Sequence, residues 1–223
     1  MQLYSIDHSP YATRVRIQLV HKGIEADVRL PPVPLRTPEF RAAFPLGKVP
    51  ILVLDDGEEI AESTAIMDFL EAMHPEQPLH PAGPLALAHN TMLERCADNH
   101  LGPALFQLFG EVFKPSGDEV RAAKFDALSQ ELDKLQNLLA ALPPYGERGL
   151  QTGDLCLVTN LRFVEDVSAL LNRPGLVDDY PGIIAWRDWA RTYPAVAEGV
   201  DHMAGAFEAF LQQMREAAKT GAG

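Results

Sequence analysis

The sequence predicts a small α/β domain with the element order βαβαββα, followed by a larger all-α domain. Three observations support this prediction. The first thirty residues read as strand, helix and strand. Asp55-Asp56-Gly57 separates two short apolar runs, as a β-hairpin turn does. Beyond residue 84 nearly all of the apolar residues follow helical spacing. We therefore expect domains at 1–76 and 85–223, joined by a linker at 77–84.

Capping residues and prolines mark where the elements of the first domain begin. Ser9 before Pro10 predicts a helix from residue 10 to about 22 that stops at Gly23, between strands at 3–7 and 24–30. Its predicted apolar stripe excludes Arg14 and Arg16 and consists of Val15, Leu19 and Val20.

The second half of this domain follows the same rules. Thr37 before Pro38 predicts a short helix to about residue 44, and the hairpin strands should occupy 51–54 and 58–60. Ser63 is expected to cap a third helix. Its apolar residues have the spacing of one buried face: Ile66, Phe69, Leu70 and Met73.

The second domain should consist of helices at 85–112, 118–142, 156–171, 181–191 and 194–218, with a frayed end at 219–223. A kink is expected in the first of these at Gly102-Pro103.

Composition limits the classes of function. The 223 residues are 47% hydrophobic and carry a formal net charge of −12, which argues against nucleic acid as a partner. No apolar run reaches the length of a membrane span, and the chain starts in a strand-like pattern without a leader, so we expect a cytoplasmic protein. Cys96 and Cys156 are far apart, which predicts neither a disulfide framework nor a metal site.

Two short motifs indicate where a small anionic peptide could bind. In Lys48-Val49-Pro50 the proline cannot donate a ladder hydrogen bond, so the backbone at Val49 is expected to be an open edge. Glu62-Ser63 stands where the third helix begins, and the free N–H groups and dipole of a helix N-terminus attract carboxylates.

These motifs, in this order, resemble the cytosolic glutathione transferases. The resemblance covers essentially the whole chain and rests on Ser9-Pro10-Tyr11, Lys48-Val49-Pro50, residues 62–66 (Glu-Ser-Thr-Ala-Ile) and the late segment 180–186 (Tyr-Pro-Gly-Ile-Ile-Ala-Trp). It implies a thioredoxin-like first domain, an all-helical second domain, glutathione as co-substrate without a metal, and a homodimer.

The resemblance also implies roles for single residues. The backbone of Val49 would pair with the cysteinyl part of glutathione, and Glu62 with Ser63 would receive its γ-glutamyl end. Lys48 and Arg36 are candidates for the glycyl carboxylate. Because the thiolate is the nucleophile, a hydroxyl that donates a hydrogen bond to sulfur activates it, and Ser9 occupies the place of that hydroxyl in the serine-type classes, most like the tau and zeta patterns.

Other classes fit the same position less well. Members that exchange disulfides carry cysteine there, where this chain has Ser9. Tyr4 is the only candidate for the catalytic tyrosine of the tyrosine-type classes. It lies one position away from the residue that aligns with that tyrosine, so its side chain should point to the other face of the sheet, and we expect it in the core. The zeta class has a Ser-Ser-Cys signature, from which Pro10-Tyr11 departs, and this counts against maleylacetoacetate isomerase activity.

The second substrate is expected to be a small hydrophobic electrophile, bound near Tyr11, Met92 and Cys96. Asp98 resembles an acidic residue that reaches the partner subunit in some classes. The family's usual Ser/Thr-x-x-Asp capping box is missing at residues 157–160 (Leu-Val-Thr-Asn).

Three functions remain open: glutathione transfer, a glutathione-dependent isomerase, etherase or peroxidase on the same scaffold, and a non-enzymatic interaction protein.

Overall fold

The computed structural model describes residues 1–220, which divide into two compact units. The first unit contains the first 77 residues together with the chain from Glu198 onward, and the second is Pro78–Ala197. The predicted helical domain includes everything after residue 84, whereas here the last helix, apart from its first turn, packs within the first unit. The reason is a close helix approach: a Cβ at Gly199 would lie 2.4 Å from Ile17 Cγ1.

The first unit has the predicted βαβαββα order. The elements are β1 Gln2–Tyr4, α1 Pro10–Lys22, β2 Asp27–Arg29, α2 Pro38–Ala43, β3 Ile51–Val53, β4 Glu59–Ala61 and α3 Ser63–Met73. The four-stranded sheet has the order β2-β1-β3-β4, with β1 parallel to β2 and antiparallel to β3, and β3 antiparallel to β4. The βαβ unit and the hairpin are therefore confirmed.

The two faces of this sheet have different cores. On one face Tyr4 and Ile51 pack with Phe40 and Phe44 from α2 and the residue after it. Tyr4 meets Phe44 edge to face, with ring centroids 5.6 Å apart, so this tyrosine is a core residue, as expected. Because side chains alternate along a strand, the cross-strand pair formed by Leu3 with its partner in β3 lies on the opposite face, and Leu3 is completely buried.

Helix α1 is buried over a wider arc than one stripe, and the predicted stripe is wrong in two places. Val20 is 62% exposed, whereas Arg14 is 0% exposed. The reason is that α1 contacts two helices of the first unit, α3 and the final helix, so a second side of α1 is also covered.

The second unit is helical between residues 78 and 197. Its helices are α4 Pro84–Arg95, α5 Gly102–Phe113, α6 Asp118–Ala141, α7 Thr152–Leu170 and α8 Pro181–Ala190. The last helix, α9, runs Pro194–Thr220, two residues beyond its predicted end, and residues 221–223 of the expected frayed end lie outside the described residues. None of the described helices is long and apolar enough to cross a membrane.

The predicted break at Gly102-Pro103 takes the form of a π-helical segment just before it, Cys96–Leu101. A π-helical turn displaces carbonyl groups from the regular α-helical ladder. The Ala97 carbonyl accepts from the Gly102 amide in the π-helical pattern and also from the side-chain amide of Asn160 of α7, which donates to it over 2.9 Å.

Helix α7 begins four residues earlier than predicted, at Thr152 rather than Cys156, and it has a capping box after all. Gln151 and Asp154 form it, and the Asp154 carboxylate accepts from the Gln151 amide at 2.9 Å. The predicted position at 157–160 is wrong because those residues lie inside the helix, with Leu157 and Asn160 buried.

Candidate active site

The register of the sheet brings the ends of three strands together. Tyr4 at the end of β1 pairs with Ile51 at the start of β3, and Ile51 in turn pairs with Ala61 at the end of β4. Ser9 follows β1, Val49 precedes β3, and Glu62-Ser63 follows β4. The motifs that sequence analysis selected therefore leave the sheet at one end. This placement follows from the antiparallel pairing of β3 with both neighbours.

Ser9 is the N-cap of α1 and is half-buried. Its side-chain oxygen accepts from the Ala12 amide over 3.3 Å, and its own amide donates to the Ile6 carbonyl over 3.0 Å. Among the described residues, no acceptor for the Ser9 hydroxyl proton is found. The hydroxyl is thus held in place through its lone pair and retains a proton that it can donate to a ligand.

The Val49–Pro50 peptide bond is cis, and Val49 is half-buried against the cluster of Phe40, Phe44 and Ile51. Neither the amide nor the carbonyl of Val49 forms a hydrogen bond with any residue in the described part of the chain. A backbone donor and acceptor side by side can pair with an extended peptide in the manner of an added strand.

The start of α3 differs from the prediction. Ser63 is the first helical residue rather than the cap, and Glu62 holds the N-cap position with φ +69°, a left-handed conformation that is uncommon for a glutamate. No side chain caps this helix. The N–H groups of its first turn are therefore available to an anion, and the exposed Glu62 carboxylate stands beside them.

Arg14 is a further candidate residue that the sequence did not indicate. Its Nη1 donates to the Ser63 hydroxyl over 3.4 Å, and its guanidinium lies over the Tyr11 ring, 4.6 Å from the centroid. It thereby connects the first turns of α1 with the start of α3 and adds a buried positive charge behind Ser63. Helical periodicity assigned Arg14 to the polar side of α1, and no local pattern distinguishes it from the neighbouring Arg16.

Two candidate cations lie on exposed parts of the first unit. Lys48 precedes Val49, and Arg36 is in the loop after β2 with φ +67°. Within the described residues neither side chain forms an ion pair. Both charges are therefore available to a carboxylate in solution.

The candidates for the second-substrate pocket lie in different units. Tyr11 is half-buried in the first unit under the Arg14 guanidinium. In the second unit Met92 is 46% exposed on α4, while Cys96 on the π-helical segment is only 7% exposed. Burial raises the pKa of the Cys96 thiol to about 11, so this sulfur is protonated and unreactive at neutral pH. Asp98 follows on the same segment and is half-buried.

The first-unit groups can hold an anionic peptide and deliver a hydrogen bond to one of its atoms. They provide an open backbone edge, an uncapped helix N-terminus with a buried cation behind it, and a serine hydroxyl at the start of a second helix. Such an arrangement can favour the ionised form of a bound thiol, because both hydrogen bonding and nearby positive charge stabilise an anion.

Known proteins that are similar to this chain include glutathione S-transferases and a maleylacetoacetate isomerase. Residues 3–78 match the family described as glutathione S-transferase, N-terminal domain. The zeta-class glutathione S-transferase of Euphorbia esula is 33% identical over 184 residues, which cover 78% of this chain and 77% of that protein. The maleylacetoacetate isomerase of Pseudomonas aeruginosa is 28% identical over 205 residues, or 87% of this chain and 93% of that protein.

A solved structure is also similar. The glutathione S-transferase of Methylobacterium radiotolerans, crystallised in complex with glutathione sulfonate, has a TM-score of 0.71 and 25% identity, covering 89% of this chain and 93% of that chain. The expected fold class, a thioredoxin-like domain followed by a helical one, is confirmed. With a third of its residues identical to a relative over most of both proteins, this chain belongs to the glutathione S-transferase family.

Proposed function

We propose that this protein is a glutathione transferase that ionises the thiol of bound glutathione and adds it to a small hydrophobic electrophile. The observation that carries the proposal is the convergence of Ser9, Val49 and Glu62-Ser63 at one end of the sheet, set by the pairing of Ile51 with Tyr4 and Ala61. Relatives whose structures hold glutathione or its analogues support glutathione as the ligand.

Each part of the tripeptide has a matching group. The open amide and carbonyl of Val49 pair with the backbone of the cysteinyl residue. The γ-glutamyl carboxylate meets the uncapped N-terminus of α3, an interaction worth about 0.3–1 kcal/mol at an exposed helix end and more when partly buried. Glu62 pairs with the γ-glutamyl ammonium, and Lys48 and Arg36 attract the glycyl carboxylate.

Ser9 then activates the sulfur. A free cysteine thiol titrates near pH ~8.5, so only a few per cent is thiolate at neutral pH. Lowering that pKa by about two units, which requires about 2.7 kcal/mol of preferential stabilisation of the anion, makes the thiolate the main form. The hydroxyl proton of Ser9, which has no acceptor in the described part of the protein, supplies a hydrogen bond toward this stabilisation.

Calorimetric titration with glutathione followed by a conjugation assay tests the proposal. We expect binding at millimolar ligand or below, and at least a roughly tenfold loss of turnover in Ser9→Ala, as follows from losing about 1.4 kcal/mol of thiolate stabilisation. Glutathione affinity should stay nearly unchanged. Unchanged turnover in Ser9→Ala would remove this serine from the mechanism.

Thr37→Ala is the matched control for that variant. Thr37 caps α2 as Ser9 caps α1, accepting from the Phe40 amide over 3.1 Å. Both substitutions remove a helix cap worth about 0.5–2 kcal/mol, so both lower stability, but only Ser9→Ala should slow conjugation.

A second candidate function is isomerisation with glutathione as a returned cofactor. The similarity to a maleylacetoacetate isomerase over most of both chains favours it. Ether cleavage and peroxide reduction are further outcomes of the same thiolate. A substrate panel with glutathione quantified before and after separates them, since an isomerase consumes no net glutathione. A chain that binds no glutathione at millimolar concentration would instead be a non-enzymatic interaction protein.

We also propose a cytoplasmic homodimer that serves detoxification, which the resemblance implies. Leu85 and Met92, seven residues apart and so on one face of α4, are both exposed in the single chain, as expected of a surface that a second copy covers. Sedimentation velocity over a range of protein concentrations tests the dimer, and a purely monomeric species would contradict it.

A further inference from the structure

The segment that carries Ser9 out of the sheet is held on one side by α1. Arg16 forms an ion pair with the Asp7 carboxylate, and its Nη2 also donates to the Asp7 carbonyl and to Thr13 Oγ1, each over 2.7 Å. Arg16 therefore fixes the backbone two residues before Ser9 to the helix that Ser9 caps.

The final helix holds the same segment from the other side. The His8 ring is stacked on Phe210 of α9, with centroids 4.4 Å apart and planes 24° from parallel. Phe207, which is buried, contributes a second ring 6.3 Å from His8. His202 Nε2 lies 3.7 Å from the Asp7 carboxylate. The residue immediately before the proposed catalytic serine thus lies against two aromatic rings of α9.

The stack holds a neutral imidazole at physiological pH. Burial lowers the pKa of His8, Asp7 opposes that shift and Arg16 adds to it. A half-buried neutral ring on an aromatic neighbour is held by packing rather than by charge. How firmly the stack holds the segment before Ser9 therefore depends on the shape of the two rings. Leucine in place of Phe210 keeps apolar bulk but removes the flat partner.

We propose that His8 and Phe210 are positioning residues for the Ser9 hydroxyl, so that α9 sets how well the enzyme ionises the glutathione thiol. The proposal rests on the role of Ser9 proposed above. A hydrogen bond weakens steeply as its angle or length departs from the optimum, and Ser9 is one peptide unit from the stacked ring. Without the stack, residues 7–9 are held by Arg16 on the α1 side but no longer by Phe210 on the α9 side. The hydrogen bond from the Ser9 hydroxyl to the glutathione sulfur then has a less favourable length and angle.

Phe210→Leu tests the proposal through the ionisation of bound glutathione, measured as the ultraviolet absorbance of the thiolate against pH. We expect the thiol pKa to rise by about half a unit to one unit, with a roughly three- to tenfold lower kcat/KM below that pKa and recovery of the rate well above it. Glutathione affinity from calorimetry should be nearly unchanged, because the peptide-binding groups are untouched. A residue that matters only for stability would shift the melting temperature and leave the thiol pKa where it is.

Three further single variants and one double variant make the result specific. Phe210→Tyr keeps a ring and should retain the wild-type thiol pKa. Met214→Ala removes an exposed apolar side chain one turn later on α9 and should also leave that pKa unchanged. His8→Ala removes the other half of the stack and decides the question if Phe210→Leu does not fold. The double variant of Phe210→Leu with His8→Ala should resemble either of those two single variants, because both substitutions remove the same contact.

Two results overturn the inference, and they are distinguishable. A folded Phe210→Leu or His8→Ala enzyme with the wild-type thiol pKa shows that the stack does not position Ser9. A wild-type enzyme whose bound glutathione titrates like free glutathione, or whose thiol pKa is the same in Ser9→Ala, removes the proposed role of Ser9 and the positioning role with it.

Discussion

Replacing Asp154 by asparagine tests the polar cluster that begins α7. The two carboxylate oxygens of this completely buried residue accept four hydrogen bonds. Oδ1 accepts from Arg148 Nη2 at 2.8 Å and from Trp186 Nε1 at 3.0 Å, and Oδ2 accepts from Arg148 Nη1 at 2.6 Å and from the Gln151 amide at 2.9 Å. Asparagine has one oxygen, so its amide nitrogen must face two of these donors.

The structure sets the expected magnitude. Each buried donor left without an acceptor costs about 1–3 kcal/mol. In either amide orientation one buried donor, the Gln151 amide or Trp186 Nε1, loses its acceptor, while the other donor belongs to the partly exposed Arg148, so we expect a loss of about 1–3 kcal/mol in the free energy of unfolding. Urea denaturation followed by tryptophan fluorescence measures this loss, because Trp186 is itself a partner of the carboxylate. The protein concentration should be held constant throughout, since a dimer links stability to concentration.

Asp166→Asn is the matched control, with the same substitution in the same helix. Asp166 accepts from Arg162 over 2.7 Å and 3.2 Å, but both side chains are partly exposed to solvent. Such a pair contributes about 0–1 kcal/mol. If Asp154→Asn costs no more than Asp166→Asn, the buried cluster does not stabilise α7 and the reasoning from unpaired donors is refuted.

Three further predictions concern single residues. Arg14→Met should weaken glutathione binding roughly tenfold, the effect of losing about 1.4 kcal/mol from the buried cation behind the α3 N-terminus, and calorimetry on a folded variant with wild-type affinity would contradict this. Hydrogen bonds from Lys124 and its other neighbours lower the pKa of Glu111 from 4.5 to about 2, so its stabilisation is fully present above pH 4.5 and is lost as the pH falls toward 2. The stability difference between wild type and Glu111→Gln, measured by denaturation at a series of pH values, should shrink over that range; a constant difference would argue against it. The buried thiols of Cys96 and Cys156 should react with a thiol reagent at pH 8 only after unfolding, and fast labelling of the native protein would disagree.

Elements with strong local signals were predictable from the sequence. Pro10 after Ser9 and Pro38 after Thr37 set the starts of α1 and α2, where the structure has both serine and threonine as side-chain caps. The start of α7 was not predictable, because its cap is a glutamine, a residue rarely found at that position, and the apolar pattern indicated a start four residues further along the chain.

The sequence by itself determined the order of elements, the hairpin, the family and the residues Ser9, Val49, Glu62 and Ser63 as candidates, because each depends on neighbours within a few positions. Tertiary structure alone decided which side chains of a helix are buried. Arg14 is enclosed while Val20 is exposed, since α1 is covered by α3 and by α9, and α9 lies almost two hundred residues away in the chain. No local periodicity contains contacts of that separation, and the stack of His8 on Phe210 arises from the same long-range packing.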